Sequence, residues 1–195
     1  MATPDPNELP LFALPKPAVA KHTAATSRRR KSAKPKPVSA GLLLWRASET
    51  SATGVRAGGR SIEVLLAHPG GPYWSSRDEG AWTIPKGGIH PGEGPLDTAI
   101  REFREETGFE PAAPYLALGH IVQKSGKTVH AWAFAGDADP ATLTSAMTST
   151  EWPPKSGQWI TVPEIDRAQF FSIDDARRKL NAAQADLLDR LLTVL

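Results

Sequence analysis

The 195-residue chain contains no cysteine. Disulfides, thiolate metal sites and cysteine nucleophiles are therefore excluded, and a reducing compartment is compatible with the composition. Long apolar runs are missing as well. Prolines and charges interrupt the N-terminal "MATPDPNELPLFALPKPAVAKH" too often for a signal peptide. No later stretch approaches the ~18 consecutive apolar residues that a membrane span needs. The expectation is a cytoplasmic protein with no membrane association. What remains, 195 residues at 40% hydrophobic content, suffices for one ordinary domain and a tail.

The net charge of +2 hides an asymmetry. Residues 1–38 carry eight Lys/Arg against two acids, and the remainder carries 15 bases against 19 acids. Residues 1–37 are rich in Pro, Ala and Lys, include "RRRKSAKPKP" and show no apolar period. Such a segment cannot offset its ordering entropy, so a disordered basic tail is expected ahead of a domain over 38–195. It is an electrostatic arm for weak nucleic-acid contact or only a solvated tail. Within it, Glu8 to Phe12, "ELPLF", resembles the short peptide by which bacterial proteins dock on the replication sliding clamp, with Glu in place of the usual Gln. Five residues match such a motif easily by chance.

From Val38 onward short apolar runs alternate with turn signals. "VSAGLLLWR" and "SIEVLLAH" read as buried strands. "YLALGHIVQ" and "TVHAWAFAG", joined by "KSGK", read as an antiparallel hairpin, and "GQWITV" adds a strand. The closing "NAAQADLLDRLLTVL" reads as a helix with Asn181 as N-cap and Gln184 three residues on, the pattern of a capping box. No internal repeat is present.

The segment Trp82 to Phe109, "WTIPKGGIHPGEGPLDTAIREFREETGF", carries the chemistry. Gly94 and Pro95 open a helix, Asp97 sits in its first turn and Gly108 lies just past its end. On a helical wheel with Leu96 at zero, Ala99, Ile100 and Phe103 fall at about 300°, 40° and 340°, one apolar stripe. Glu102, Glu105 and Glu106 fall at about 240°, 180° and 280°, a separate arc of three carboxylates. Like charges at this spacing repel, and a hard divalent cation offsets the repulsion while bridging to phosphate oxygens. Arg101 can pair with Glu105 one turn on. Taken alone, "REFREE" reads equally well as a solvated helix face.

The wider spacing decides between the two. Gly87, Glu93, Arg101, Glu102, Glu105, Glu106 and Gly108 occupy a 23-residue span with bulky Phe103 and Phe109. This pattern resembles the Nudix box at every fixed position, the two bulky positions being aromatic where aliphatics are commoner. The resemblance implies an α/β fold, an α/β/α sandwich around a mixed central sheet, and a hydrolase of phosphoric anhydrides that uses Mg²⁺, with Mn²⁺ as the alternative. It implies Glu102 and Glu106 as principal metal ligands, Glu105 as a further ligand or base, and the Gly87 carbonyl as another ligand. Glu93 becomes a supporting carboxylate and Arg101 the residue that orients a glutamate. The general base is left open among Glu102, Glu105 and Glu151.

Upstream, Trp82, Thr83, Pro85, Lys86 and Gly87 resemble the lead-in of Nudix enzymes acting on diadenosine tetraphosphate, which makes Lys86 a phosphate contact. "VLLAHPGGPYW", "EWPPKSG" and "PEIDRAQFF" resemble a bacterial branch of Nudix pyrophosphohydrolases. Tyr73, Trp74 and Trp152 are candidates to stack a base, and Glu151 sits in a Pro-rich loop that can bring an acid to the site. The five histidines have no ligand spacing, and no P-loop, dinucleotide fingerprint or serine elbow is present. The substrate expected is a dinucleoside polyphosphate or nucleoside triphosphate. A hydrolase of 5′-capped RNA and a non-catalytic Nudix binding module are the alternatives, the latter opposed by the intact glutamates.

Overall fold

The computed structural model describes residues 37–48, 56–57 and 60–195. The expectations placed on the tail, namely disorder, polyanion contact and clamp docking, fall on residues outside that set.

Strand β1 (Val38–Ser48) is the centre of the sheet. β2 (Arg56–Ala57) and β3 (Arg60–Pro69) follow, then a short β4 (Lys86–Gly88), helix α1 (Pro95–Thr107), and the hairpin β5 (Leu116–Val122) and β6 (Thr128–Ala135). β7 (Met147–Glu151) and β8 (Trp159–Pro163) form a separate two-stranded hairpin. β9 (Ile165–Ser172), α2 (Ile173–Lys179) and α3 (Asp186–Val194) complete the chain. β1 runs parallel to β6 and antiparallel to β3 and β4, so the sheet is mixed.

The register of β1 positions the site. Its first residues lie between two neighbours: Val38 opposite Thr128 of β6, and Ser39 opposite Gly88 of β4. The β5–β6 turn and the loop opening at Lys86 are thereby brought to the same end of the sheet.

Successive β1 residues point to opposite faces, and both faces are covered, which is why "LLL" is apolar without alternation. Ala40, Leu42 and Leu44 pack with Leu65, Phe134 and the α1 residues Ala99 and Phe103. Leu43 packs on the other face with Val64, Trp82, Ile84 and the α2 and α3 residues Ala176, Leu187, Leu188 and Leu191. The result is the three-layered α/β/α arrangement expected. No described helix is long and apolar enough to cross a membrane.

The strands "VSAGLLLWR" and "SIEVLLAH", the β5–β6 hairpin and the strand in "GQWITV" form as expected, as does α1. β7, β9 and α2 carry no comparable signal: β9 alternates apolar and charged residues irregularly, and α2 spans only seven residues.

The C-terminal reading needs a correction. Asn181 does cap, accepting a hydrogen bond from Ala183 N at 3.1 Å, but it caps a 3₁₀ turn over Ala182–Gln184, and α3 begins only at Asp186. Gln184 does not close a capping box. It is fully buried and reaches across the molecule, its Nε2 donating to Thr83 Oγ1 (2.8 Å) and its Oε1 accepting from Ile84 N (2.9 Å).

Candidate active site

The stretch entering the site is held by the C-terminal part of the chain. Gly80 N donates to Arg178 O, Trp82 N to Lys179 O, and Asn181 N to Trp82 O at 2.8 Å. The Trp82 indole is buried and donates to Asp78 Oδ1 at 2.8 Å, and Asp78 is ion-paired with Lys179. Trp82 and Thr83 are thus anchors, and the chain emerges at Lys86 with its direction fixed. Buried His68 does a similar service for the preceding turn, its ring nitrogens lying 2.7 Å from Asp166 Oδ1 and 2.9 Å from Arg77 O.

At the exit, Lys86 N donates to Glu106 Oε2 at 2.9 Å. The Lys86 ammonium makes no ion pair among the described residues. Gly87 lies against Glu102: a Cβ there would fall 2.0 Å from its carboxyl carbon. Only glycine permits this close approach of the Glu102 carboxylate, independent of backbone conformation.

α1 supplies the acids. Its N-cap, Gly94, makes no side-chain bond, and Pro95 presets the first turn. Gly108 ends the helix at φ +73°, a left-handed conformation costly for other residues. With Phe103 locked edge-to-face on Phe134 at 5.1 Å, the helix cannot rotate, and the carboxylate arc faces the loop. Glu102 and Glu106 are only 9% and 7% exposed, whereas Glu105 lies in solvent.

Arg101 organises the group. Its Nε and Nη2 grip Glu93 at 2.8 and 3.0 Å. Nη1 donates to Glu102 Oε1 (2.8 Å) and Glu105 Oε2 (2.9 Å), and Nη2 also reaches Gly88 O at 3.1 Å. One guanidinium therefore ties the loop to two helix carboxylates, with Glu93, also fixed by His90 N (3.2 Å), as its counter-ion. The Arg101 hydrogen bonds hold Glu93 down at about 2. Glu106 is pushed up to about 7, chiefly by burial, against the pull of the Lys86 ammonium and backbone N–H, with smaller repulsion from Glu102 and Glu164.

Two residues at this site carried no signal in the sequence. Glu164, following β8, has its carboxyl raised by burial and by repulsion from Glu102 and Glu105. Its side chain makes no hydrogen bond or ion pair among the described residues. Lys127, from the β5–β6 turn, is held below the usual lysine range by burial and by Lys86, while Glu102 and Glu106 pull the other way. Hydrophobic patterning cannot reveal either residue, because each reaches the site through a strand register.

Glu151 Oε1 accepts from Gly157 N at 2.7 Å, bracing the β7–β8 turn, and the cavity beside the carboxylates is lined by its neighbours Thr150 and Trp152. Glu164 is the acid from outside the box that lines that cavity, together with Glu106 and Trp74.

Among the described residues no three acidic or histidine side chains form a metal cage by themselves. The donor chemistry nonetheless suits a hard divalent cation. Glu102, Glu105 and Glu106 offer only oxygen, Arg101 occupies one oxygen each of Glu102 and Glu105, and the bare Gly87 lets the Glu102 carboxylate lie against the loop.

A family model described as NUDIX domain matches residues 50–191. The mouse (Mus musculus) bis(5′-nucleosyl)-tetraphosphatase [asymmetrical] is 42% identical over 57 residues, covering 26% of this chain and 39% of that protein. An RNA pyrophosphohydrolase of Erythrobacter litoralis is 54% identical over 50 residues, covering 23% of this chain and 30% of that protein. The matches thus span less than half the length of these curated relatives. Among solved structures, a C. elegans Ap4A hydrolase binary complex superposes with TM-score 0.53 at 20% identity, covering 80% of this chain and 96% of that one. The NUDIX domain of Shewanella oneidensis NrtR complexed with ADP ribose gives 0.56 at 12% identity, covering 86% and 94%. At such identities the likeness is one of fold. Every fixed position of the box lies on the loop and helix described above, inside the matched residues, and the chain belongs to the NUDIX domain family.

Proposed function

We propose that this protein is a metal-dependent hydrolase that cuts a phosphoric anhydride bond in a nucleoside-linked substrate, a dinucleoside polyphosphate or a nucleoside triphosphate. The observation that carries the reading is the near-burial of Glu102 and Glu106 one turn apart, facing two lysines that have no ion-pair partner among the described residues. Burying two like charges is unfavourable unless something compensates. A divalent cation on the acids and a phosphate chain on Lys86 and Lys127 do so together.

Glu102, Glu106, Glu105 and the Gly87 carbonyl would hold the cation, Mg²⁺ or Mn²⁺. When bound, it neutralises phosphate charge and makes an attacking water more acidic. The remaining work belongs to the chain. Lys86 and Lys127 hold the phosphates from two sides, and Arg101 fixes Glu102 and Glu105 while Glu93 fixes Arg101. The proton is taken by Glu105 or Glu164, whose side chain makes no hydrogen bond or ion pair among the described residues.

The test is a panel of nucleoside triphosphates, dinucleoside polyphosphates, nucleotide sugars, and 5′-triphosphorylated and capped RNA, with Mg²⁺, Mn²⁺ or a chelator. Turnover that needs the metal and is strongest on a small nucleotide is expected. Absence of turnover on every member would overturn the proposal in favour of a binding module. Cleavage of RNA ends alone would favour the second reading, supported by the relatives named RNA pyrophosphohydrolases.

A further inference from the structure

His68 lies at the end of β3, has no exposed surface and takes no part in the chemistry above. Both of its ring nitrogens are engaged: Nδ1 lies 2.7 Å from Asp166 Oδ1 and Nε2 2.9 Å from Arg77 O. A backbone carbonyl can only accept, so Nε2 carries a proton. Asp166 Oδ1 also accepts from Arg167 Nε, at 3.4 Å. That marks it as a carboxylate oxygen, so Nδ1 is a donor as well, and a ring that donates from both nitrogens is an imidazolium. Without the second proton, the Nδ1 lone pair would face a carboxylate oxygen at 2.7 Å on a ring closed to solvent.

The strands are shaped around this contact. In the β3–β9 ladder His68 stands opposite Arg167 and Pro69 opposite Ile165, so Asp166 is left without a partner at a bulge. A bulge re-aims a side chain, and this one turns Asp166 onto the ring. Trp82 meets His68 edge-to-face at 5.1 Å. The other charged groups around the pair are Arg167, whose guanidinium lies 5.6 Å from the Trp82 ring centre, Arg77, whose guanidinium lies over Tyr73, and Asp78 with its partner Lys179 from α2. Asp166 is thus the carboxylate that answers the imidazolium charge by direct contact.

Each side of the ring holds a segment that borders the site. Nε2 fastens Arg77, the far end of the turn after β3, and Arg77 N in turn donates to Trp74 O at 2.8 Å. Nδ1 fastens Asp166, two residues past Glu164, and the Glu164 carbonyl accepts from Gly70 N at 2.9 Å. We infer that His68 and Asp166 form a proton-dependent clasp that positions Glu164 and the turn after β3, so that losing the His68 proton loosens both at once. The consequence for turnover rests on the hydrolase reading of Glu164; the clasp itself does not.

Asp166→Asn separates the proton from the contact. Its amide can donate to an unprotonated Nδ1 while Nε2 still donates to Arg77 O, so the variant closes the same clasp around a neutral ring. Ring ¹⁵N–¹H correlation spectra of the full chain are recorded from about pH 5 to about pH 8, where histidine changes charge. At the acid end both His68 nitrogens are expected to carry protons in the wild type, and Nε2 alone in Asp166→Asn. Because the clasp needs its proton, the wild type should lose thermal stability relative to Asp166→Asn as pH rises through that range. On the best substrate of the panel, wild-type kcat should fall about tenfold or more as the ring loses its proton, and Asp166→Asn should lack that fall. A singly protonated wild-type ring at about pH 5, or parallel stability profiles in the two proteins, would overturn the clasp. A kcat profile shared by both would overturn its positioning of Glu164. Proton-linked stability in a protein without turnover would leave the clasp standing while the hydrolase reading fell.

Discussion

Gly87 and Glu102 show how closely the site depends on single atoms. A Cβ at Gly87 would intrude on the Glu102 carboxylate, the movable end of a side chain. Gly87→Ala should therefore unfold within about 1 kcal/mol of wild type yet lose about a hundredfold in kcat/KM by displacing Glu102. Paired urea unfolding and kinetic assays check this, and a large loss of stability would show that the loop itself had failed. Arg101 makes a related point. Lysine there keeps the charge but cannot serve Glu93 twice while also reaching Glu102, Glu105 and Gly88 O. Arg101→Lys should lower kcat by about tenfold or more with little change in KM, and an unchanged kcat would mean that the guanidinium network is ornamental. The Arg101 bonds hold Glu93 at about 2, below its ordinary 4.5. Its contribution to stability is thus fully present above pH 4.5 and is lost as pH falls from there toward 2. The stability difference between wild type and Glu93→Gln should shrink over that window in thermal melts, and a constant difference would contradict the assignment.

At the scale of elements, the C-terminal turn and the loop into the site behave as one unit. Gln184 joins them across a separation of 100 residues. Gln184→Ala leaves Ile84 N without a partner and opens a small void, and should cost roughly 2–3 kcal/mol. Equilibrium denaturation measures this, and a cost under about 0.5 kcal/mol would show the tether to be dispensable. The same residue shows where a local pattern gives the wrong partner. Asn181 and Gln184 have capping-box spacing, but Thr83 and Ile84 present a buried donor and acceptor that the amide satisfies better than it would a solvent-facing helix end. α1 is the opposite case. Its stripe, its proline start and its glycine stop all favour one helix, and its boundaries agree with the sequence reading.

Across the whole molecule, what could be read in advance is what is contiguous. The box lies within one loop and one helix, so spacing alone placed Gly87, Glu93, Arg101, Glu102, Glu105 and Glu106 together. Lys127 and Glu164 reach the same place through the parallel β1–β6 register and the β7–β8 reversal, which no local pattern encodes. In the Pro-rich loop Glu151 accepts from Gly157 N, while Glu164, which no pattern singled out, feels the charges of Glu102 and Glu105. The unit that acts is therefore the helix with its loop, completed by the ends of strands distant in sequence. The central claim is that the buried pair Glu102 and Glu106 carries the chemistry. Its most direct test is the turnover number of Glu106→Gln on the best substrate of the panel, measured at saturating Mg²⁺ beside the wild type. A fall of about a thousandfold in a protein that still unfolds cooperatively is the result predicted. Turnover within about tenfold of wild type would contradict it.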